Sequence, residues 1–342
     1  FEDRLKYYLK SNSNVACLSS GTSAIHLALI LSGVTNNDEV LCQSFTFSAS
    51  ANPILYQGAT PVFIDSELET WNMCPFALEE AIKDRISKNK KPKAIIVVHL
   101  YGMPAKIAQI MAIAKAYNIT LIEDAAEALG ANYKGHNCGT FGDFGILSFN
   151  TNKIITSFGG GGLVCKRLED KQKAIFLATQ ARDNAPHYQH SEIGYNYRMS
   201  TVLAGIGLRQ LDVLEKHVSS RRANNSFYQE LFKDVKGVTC LKEPSDDYFS
   251  NHWLSCILIE EDVSGFSNEK LRLQFAKDRI ESRPLWKPMH LQPVFKGCAY
   301  YGGTVAEDLF EKGLCLPSGS NLTDTDRDRI ARSIKKILIK GT

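Results

Sequence analysis

Short apolar runs alternate with longer segments of helical periodicity over residues 21–166. The apolar runs predict strands at residues 39–43, 61–65, 93–100, 119–123, 144–149 and 162–165. The segments between them predict helices at residues 22–31, 47–56, 75–86 and 106–117. Helices spaced between strands in this way are typical of βαβ units. The uninterrupted apolar run at residues 95–98 is typical of a strand buried on both faces. We therefore predict an α/β fold with a mostly parallel sheet.

The pattern changes after residue 166. Helical periodicity dominates residues 169–232, and a strand is predicted at 253–259. Helices are predicted at residues 268–280 and 324–338. The second of these helices is amphipathic, with one apolar side and one basic side. We place a domain boundary near residue 220. A large α/β domain then covers residues 1–220, and a smaller α+β domain covers residues 221–342.

The composition excludes several classes of protein. Hydrophobic residues make up 44% and charged residues 23% of the 342 residues, as in ordinary globular proteins. The formal charge is only +3, so we expect no nucleic-acid partner, and the apolar stretches are too short to span a membrane. The nine cysteines show no Cys-x-x-Cys spacing, which favours a reduced, cytoplasmic protein over a disulfide scaffold or zinc site. The chain starts at Phe1 without a methionine, so we expect that a preceding segment is missing.

A small-residue sequence stands at the start of the first predicted helix. Gly21, Thr22 and Ser23 combine backbone freedom, two hydroxyl groups and the unpaired N–H groups of a helix start, which together suit an anion. The same residues also fit a plain Ser/Thr helix cap. No P-loop motif and no Gly-x-Gly-x-x-Gly motif after a first strand are present, so the usual nucleotide sites are not supported.

Two further candidates follow predicted strands. Asp124 and Glu127 come after the strand at 119–123, and Lys153 comes after the strand at 144–149. Ligands bind at the carboxyl ends of parallel strands, although an acidic helix turn and a solvated lysine are the ordinary alternatives. An anion site, an acid and a lysine together suit a cofactor with a phosphate, a basic ring nitrogen and an aldehyde. Pyridoxal phosphate has these three groups, and the lysine would be its Schiff-base partner.

Five segments in this order resemble the DegT/StrS family of pyridoxal-phosphate-dependent nucleotide-sugar aminotransferases. The resemblance covers essentially the whole chain. It implies the type I aminotransferase fold, with a mostly parallel central sheet, a smaller C-terminal domain and a homodimer with shared active sites. The segments are Gly21-Thr22-Ser23-Ala24, Ser44-Phe45-Thr46-Phe47, Glu123-Asp124-Ala125-Ala126-Glu127-Ala128-Leu129-Gly130, Ser148-Phe149-Asn150-Thr151-Asn152-Lys153 and Gly194-Tyr195-Asn196-Tyr197-Arg198.

The resemblance also implies a role for each matching residue. Lys153 would bind the cofactor aldehyde and shuttle protons, while Asp124 would keep the pyridine nitrogen protonated. Glu127 would lie beside the ring hydroxyl, and Phe47 would stack on the ring. The phosphate would be bound by Gly21, Thr22, Ser23 and Ser148, with Asn196 reaching in from the other subunit. No metal is expected. Relatives with histidine in place of the lysine are dehydratases, so Lys153 favours transamination.

A narrower resemblance suggests the substrate. Residues 180–184 and 283–290 look like the branch that aminates C4 of a UDP-linked 4-keto-6-deoxy-N-acetylhexosamine for polysaccharide or glycan biosynthesis, with L-glutamate as donor. Alternatives are a GDP-perosamine or legionaminic-type substrate, or a non-catalytic pyridoxal-phosphate-binding regulator. His187 and His190 have a His-x-x-His spacing without a third ligand, which favours a structural or dimer-loop role over metal binding. The implied substrate-binding residues are Arg283, Pro284, Leu285, Trp286, Lys287 and His290.

Overall fold

The computed structural model describes residues 1–338 of the chain. The α-helices are α1 (Glu2–Leu9), α2 (Gly21–Leu31), α3 (Asn52–Tyr56), α4 (Pro75–Ser87), α5 (Ile107–Tyr117), α6 (Leu168–Ala178), α7 (Thr201–Leu211), α8 (Leu214–Phe232), α9 (Glu261–Ser264), α10 (Asn268–Lys277), α11 (Val305–Lys312) and α12 (Asp324–Leu338). The strands are β1 (Asn14–Leu18), β2 (Glu39–Gln43), β3 (Thr60–Ile64), β4 (Ala94–Val98), β5 (Thr120–Asp124), β6 (Asn132–Tyr133), β7 (His136–Asn137), β8 (Phe144–Ser148), β9 (Gly161–Cys165), β10 (Val238–Cys240), β11 (Tyr248–Phe249), β12 (Ser255–Ile259), β13 (Arg283–Pro284), β14 (Tyr300–Tyr301) and β15 (Gly313–Leu316).

The main sheet has eight strands in the order β1-β9-β8-β5-β4-β2-β3-β14. The strands from β8 to β14 pair in parallel, and β9 is antiparallel to both of its neighbours, β8 and β1. Side chains of β2 alternate between two apolar cores, because Val40 and Cys42 pack on one face and Leu41 on the other. This alternation confirms the predicted α/β fold with a mostly parallel sheet buried on both faces.

The predicted strands of the main sheet are confirmed to within one or two residues at most ends. The strand predicted at 93–100 ends at Val98 because the chain turns there into a short 3₁₀ segment at Leu100–Gly102. The helix predicted at 47–56 is divided into a 3₁₀ turn at Ser48–Ser50 and the short helix α3. Strands β1 and β14 were not predicted, and the helical stretch predicted at 169–232 is interrupted by an irregular segment at 179–200.

The second half of the chain forms its own sheet in the order β10-β12-β15-β13, which is entirely antiparallel. Helices α8, α10 and α12 cover it around a separate apolar core. The predicted boundary near residue 220 falls inside α8. Moreover, β14 joins the main sheet beside β3, and β11 pairs with β6 of the first half. The division at 1–220 and 221–342 therefore remains a prediction, and residues 339–342 lie outside the described residues.

Candidate active site

A cavity of about 400 Å³ lies where β5 and β8 end and α2 begins. These strands run in parallel, so the residues after them meet at one edge of the sheet. The structure thereby brings together most of the predicted cofactor residues. Those that line the cavity are Gly21, Thr22, Phe47, Asp124, Glu127, Ser148 and Lys153, joined by Trp286 from the second half of the chain.

Lys153 and Glu127 form the only direct ion pair between the predicted site residues within 1–338. The Lys153 Nζ atom lies 3.3 Å from Glu127 Oε1, and the other oxygen of Glu127 accepts a 2.8 Å hydrogen bond from the Tyr101 backbone N–H. Burial raises the pKa of Glu127 to about 7, against the opposing effects of Lys153 and the Tyr101 N–H. Glu127 therefore titrates near neutrality beside the amine, where it can hold or release a proton.

A tryptophan from the second half of the chain contacts the same lysine. The Lys153 ammonium lies 4.3 Å from the centre of the buried Trp253 ring, and the indole N–H of Trp253 donates a 2.9 Å hydrogen bond to Asn152 O. The aromatic face attracts the ammonium, and the hydrogen bond fixes the Trp253 ring to the backbone of Asn152, the residue before Lys153. The lysine is thus held between an acidic and an aromatic partner at the cavity wall.

Asp124 is fixed at the end of β5. Its side chain accepts a 2.6 Å hydrogen bond from the Ser50 hydroxyl and a 3.1 Å bond from the Ala126 N–H, and the residue is only 5% exposed. Ser50 is held in turn by Thr46, 2.9 Å away. A buried carboxylate with two donors and no basic partner among the described residues suits a cationic group that arrives with a ligand.

The opposite part of the cavity is built for an anion. The start of α2 presents the Gly21 and Thr22 region to the cavity, with Ser148 beside it. A Cβ at Gly21 would lie 3.3 Å from Ser148 Cβ, and a Cβ at Gly161 would lie only 2.3 Å from the Ser20 carbonyl carbon. Glycine is therefore needed for β9 to pass against this helix start. The first N–H groups of a helix have no intrahelical partner and suit a phosphate.

Ser23 is the exception among the predicted phosphate residues. It is buried and does not line the cavity. Its N–H donates to Ser20 Oγ, and the Ser20 N–H donates to Ser23 Oγ, both at 3.0 Å, which forms a capping box. Ser20 is thus the N-cap residue and Ser23 its partner in the capping box, and direct contact of Ser23 with phosphate stays a prediction.

An aromatic wall faces the lysine. Phe47 is 56% exposed, and its ring lies 5.4 Å from that of Trp286. The Trp286 ring lies 5.2 Å from that of Tyr101, and the backbone N–H of Trp286 donates a 3.1 Å hydrogen bond to the Tyr101 hydroxyl. Phe47 is therefore free to contact a flat ligand ring, while Trp286 is anchored behind it.

The other predicted substrate residues are spread over different surroundings. Leu285 is buried in the core, and the exposed Pro284 pairs with β15. His290 contacts Ser44 Oγ at 2.6 Å and Glu307 at 3.1 Å, and its ring stacks on Tyr300. Arg283 and Lys287 are exposed. Neither Lys287 nor His290 lines the cavity of about 400 Å³.

The irregular segment at 179–200 carries the remaining predictions. Asn196 is exposed and does not line the cavity of its own chain, while its backbone forms a bridge with Thr179. His187 lies 3.3 Å from Gln189 Oε1, and His190 lies 2.8 Å from the Gln180 carbonyl oxygen. Within residues 1–338 no group of three potential metal ligands occurs, and no helix is long and apolar enough to cross a membrane.

Four site residues were missed from the sequence: Ser50, Tyr101, Asn152 and Trp253. A partial signal existed for Tyr101, because it follows the carboxyl end of β4, where ligand-binding residues of parallel sheets are found. No local pattern marks Trp253, which reaches Lys153 from a hundred residues away in the chain.

Comparison with known proteins identifies the family of the chain. The model of the DegT/DnrJ/EryC1/StrS aminotransferase family matches residues 1–335. The chain belongs to this family. EpsN of Bacillus subtilis (strain 168), named as a pyridoxal phosphate-dependent aminotransferase, is 50% identical over 319 residues, which cover 92% of this chain and 81% of EpsN. The GDP-perosamine synthase of Escherichia coli O157:H7 is 38% identical over 93% of this chain and 84% of that enzyme.

A solved structure gives the same result for the fold. The crystal structure of a DegT DnrJ EryC1 StrS aminotransferase from Brucella abortus is 31% identical in sequence and superposes with a TM-score of 0.91. The match covers 98% of this chain and 88% of that one. The chain is therefore an aminotransferase with the fold of this family, and its cofactor is pyridoxal 5′-phosphate.

The residues of the cavity fit this cofactor. The helix start with Thr22 and Ser148 provides donors for a phosphate, and Gly21 lines the same space without a side chain. Gly161 has a different task, because its missing Cβ lets β9 pass close to the Ser20 backbone. Asp124 offers the carboxylate that would hold a protonated ring nitrogen, and Lys153 offers the amine that would bind an aldehyde. When bound, pyridoxal phosphate withdraws electrons from the carbon that carries the amino group. The proton on that carbon then becomes acidic enough for a neighbouring amine, such as that of Lys153, to remove it.

Proposed function

We propose that this aminotransferase moves the amino group of L-glutamate to C4 of a UDP-linked 4-keto-6-deoxy-N-acetylhexosamine and gives a UDP-4-amino-4,6-dideoxy sugar. The nucleotide-sugar assignment rests on a second cavity, which adjoins the cofactor cavity and is lined by aromatic and cationic side chains. Trp286 and Asn152 form a wall of both cavities, and Arg283 lines the second one. A sugar beside Lys153 would thus have its diphosphate directed toward arginine, which binds phosphate oxygens well.

Each residue has a defined task in the proposed reaction. Thr22, Ser148 and the start of α2 hold the phosphate end, and Asp124 holds the ring nitrogen as a cation. Lys153 removes the proton from the donor carbon and later delivers one to C4 of the sugar. Glu127, whose pKa burial raises to about 7, lies 3.3 Å from the Lys153 amine and stabilises its ammonium form when the carboxylate is ionised.

A panel assay tests the substrate. Purified enzyme is incubated with L-glutamate and each of the UDP-, dTDP- and GDP-linked 4-keto-6-deoxy sugars, and 2-oxoglutarate formation is measured. We expect the highest kcat/KM with the UDP-N-acetyl sugar. The relative named GDP-perosamine synthase makes the GDP sugar the second candidate, and preference for it would overturn the UDP assignment. If none of the ketosugars is turned over with glutamate, the proposed function as a whole is contradicted.

The working form is proposed to be a homodimer with shared active sites in the cytoplasm. In a single chain the segment around Asn196 carries exposed apolar side chains, with Ile193 84% and Val202 71% exposed. A second copy of the chain covering this face would bury them. All nine cysteines are free, which agrees with a reducing compartment.

Asn196 is predicted to act in the active site of the other subunit. Asn196 is exposed and does not line the cavity of its own chain, so we expect it to complete the cavity of the partner subunit. The Asn196→Ala homodimer should then have little activity. The Lys153→Ala homodimer should also have little activity, because both of its sites lack the amine. A hybrid of the two variants has one native site and one doubly substituted site. Activity should therefore return after subunit exchange, as measured by glutamate-dependent turnover.

Each variant exchanged only with itself is the control for the hybrid. Exchange is verified by mass spectrometry of differently tagged subunits. A demonstrated hybrid without recovered activity would show that Asn196 serves its own subunit.

Arg283 is predicted to bind the nucleotide sugar without taking part in amine chemistry. Among residues 1–338 its exposed guanidinium pairs only with the exposed Glu281, at 2.7 Å, so it can exchange this partner for a diphosphate at small cost. Loss of a charge-assisted hydrogen bond costs about 1.5–3 kcal/mol, so Arg283→Ala should raise the KM for the sugar roughly ten- to a hundred-fold. The half-reaction with glutamate, followed by absorbance, should be unchanged. Equal damage to both half-reactions would mean that Arg283 has a structural role.

A further inference from the structure

Two cysteines face each other across adjacent strands of the second sheet. Cys256 of β12 and Cys315 of β15 are directly opposite in the antiparallel register, and their Sγ atoms lie 3.8 Å apart. The Cα atoms of directly opposite residues are about 4.5–5.5 Å apart in such a pair, and those of a disulfide are usually about 4.4–6.8 Å apart. The backbone spacing therefore already suits a bond between these two sulfur atoms.

The register that aligns the two sulfur atoms is fixed by the apolar cores on the two faces of the sheet. The next pair along the strands, Ile257 and Leu314, packs into the core beneath α8, α10 and α12. Cys256 and Cys315 belong to the core on the opposite face, which also contains Trp253. A slip of one strand by one residue would turn its side chains to the wrong face, so the hydrophobic pattern keeps the cysteines opposite each other.

The two thiols differ in their access to solvent. A cavity of about 610 Å³ adjoins the cofactor cavity, and Cys315 is the only cysteine among residues 1–338 that lines it. Cys256 is only 1% exposed and does not line this cavity. Burial raises the pKa of the Cys256 thiol well above its ordinary value. A small reagent that enters the cavity therefore meets Cys315 first, and Cys256 stays a protonated thiol beside it.

Oxidation of Cys315 would alter a wall next to the candidate active site. Asn152 and Trp286 line both cavities, and Trp253, whose ring contacts the Lys153 ammonium, lines the second. Oxidation of a lone thiol to sulfinic acid is irreversible and would add a negative charge to this wall. A disulfide adds no charge, and thiol reductants return it to two thiols. The neighbouring cysteine thus offers a reversible outcome in place of an irreversible one.

We propose that Cys315 is an oxidation site for small hydroperoxides that enter the second cavity, and that Cys256 is its resolving thiol. The pair holds the oxidation as a reversible cross-strand disulfide and protects the cavity wall from irreversible damage. This site is independent of which sugar the enzyme accepts.

The reaction has two steps, with hydrogen peroxide as the oxidant. The Cys315 thiolate attacks a peroxide oxygen, so that an S–O bond forms, the O–O bond breaks and the released hydroxide takes up the proton that Cys315 had lost. The Cys256 sulfur then attacks the Cys315 sulfur, the S–S bond forms, and the hydroxyl group leaves with the Cys256 proton as water. In sum two thiols are oxidised to a disulfide, and the peroxide is reduced to two molecules of water.

Peroxide treatment of the reduced holoenzyme tests the pair. Remaining thiols are blocked with N-ethylmaleimide as the protein is denatured, and its peptides are mapped by mass spectrometry before and after dithiothreitol. In the wild type we expect a disulfide that joins the Cys256 and Cys315 peptides and that dithiothreitol removes. In Cys256→Ala this disulfide is lost, and Cys315 should accumulate as sulfinic acid that dithiothreitol does not reduce. In Cys315→Ala the disulfide is also lost, and Cys256 should stay a free thiol.

Cys240→Ala is the matched control. Cys240 is a buried cysteine of the neighbouring strand β10, but it lies opposite Ile257 and packs in the core on the other face. This variant should form the same disulfide as the wild type. Thermal unfolding verifies that each variant is folded, and Cys256→Ser repeats the test with a smaller change in side-chain volume.

Three results would overturn the proposal. The oxidation site is wrong if Cys315 stays reduced at a peroxide concentration that oxidises the half-buried Cys74 and Cys298. The resolving role is wrong if Cys315 sulfinic acid forms in equal amounts in the wild type and in Cys256→Ala. It is also wrong if Cys315 forms its disulfide with another cysteine of the chain.

Discussion

Replacement of Lys153 by either alanine or arginine should abolish transamination, with kcat reduced by at least about 10⁴-fold, the upper range for a general acid–base group. The reason is that Lys153 is proposed to have two tasks, because its amine would bind the cofactor aldehyde and would move a proton in each half-reaction. Arginine keeps the positive charge near Glu127, 3.3 Å away, but does not give up a proton at neutral pH. The charge alone therefore does not restore activity.

Borohydride reduction followed by peptide mapping measures the covalent role directly. We expect a pyridoxyl group on the peptide that contains Lys153 in the wild type and on no peptide in the two variants. Lys166→Ala is the matched control, because the Lys166 amine donates to the Phe141 carbonyl oxygen outside the cavity and should not affect turnover. A pyridoxyl group on another lysine of the wild type, or near-normal turnover in Lys153→Ala, would refute the assignment.

The sequence predicted the main sheet because its strands carry their own signal. Residues 95–98 are apolar at every position, and the structure buries Ile95 and Val97 on one face and Ile96 on the other. Two strands of the main sheet, β1 and β14, were missed. Strand β14 has only two residues, and its pairing with β3 depends on how the second half of the chain returns to the first.

Backbone conformation limited the other predictions. The helical pattern at 169–232 is broken after α6, where Gln180 and Ala181 adopt positive φ angles of 61° and 49°. Non-glycine residues rarely adopt this conformation, so their identity gave no warning of a turn. Tyr101, with φ of 55°, is a similar case, and this turn brings its N–H to Glu127.

The sequence predicts the site residues that come directly after a strand of the main sheet. It does not show which neighbours a side chain contacts in the folded protein. Asp124 and Lys153 lie just at or beyond the ends of β5 and β8, so the order of elements alone brings them together. Ser23 has a suitable hydroxyl for phosphate, and the structure engages this hydroxyl in a capping box with Ser20, so its contact with phosphate stays a prediction. His290 has an imidazole ring that suits a diphosphate, but the structure places this ring against Ser44, Glu307 and Tyr300.

Asp124→Asn should have the second largest effect, because it removes the buried carboxylate that is proposed to hold a cationic ring nitrogen. Removing one partner of a buried ion pair costs about 3–5 kcal/mol, which corresponds to a loss of roughly a hundred- to a few thousand-fold in kcat. Both half-reactions should fall alike, since each needs the same protonated ring. The amide can still accept from the Ser50 hydroxyl, whose oxygen lies 2.6 Å from Asp124 Oδ2 in the wild type, so the fold and the phosphate contacts should persist.

A cofactor analogue with a methyl group on the ring nitrogen separates this electronic role from a structural one. Its positive charge is permanent, so it no longer depends on a carboxylate for its charged form. We expect the analogue to restore part of the activity of Asp124→Asn and to give the wild type no gain, with cofactor loading measured by absorbance in both. If Asp124→Asn binds the analogue fully and stays as inactive as before, the carboxylate acts by positioning the ring and not by holding its charge.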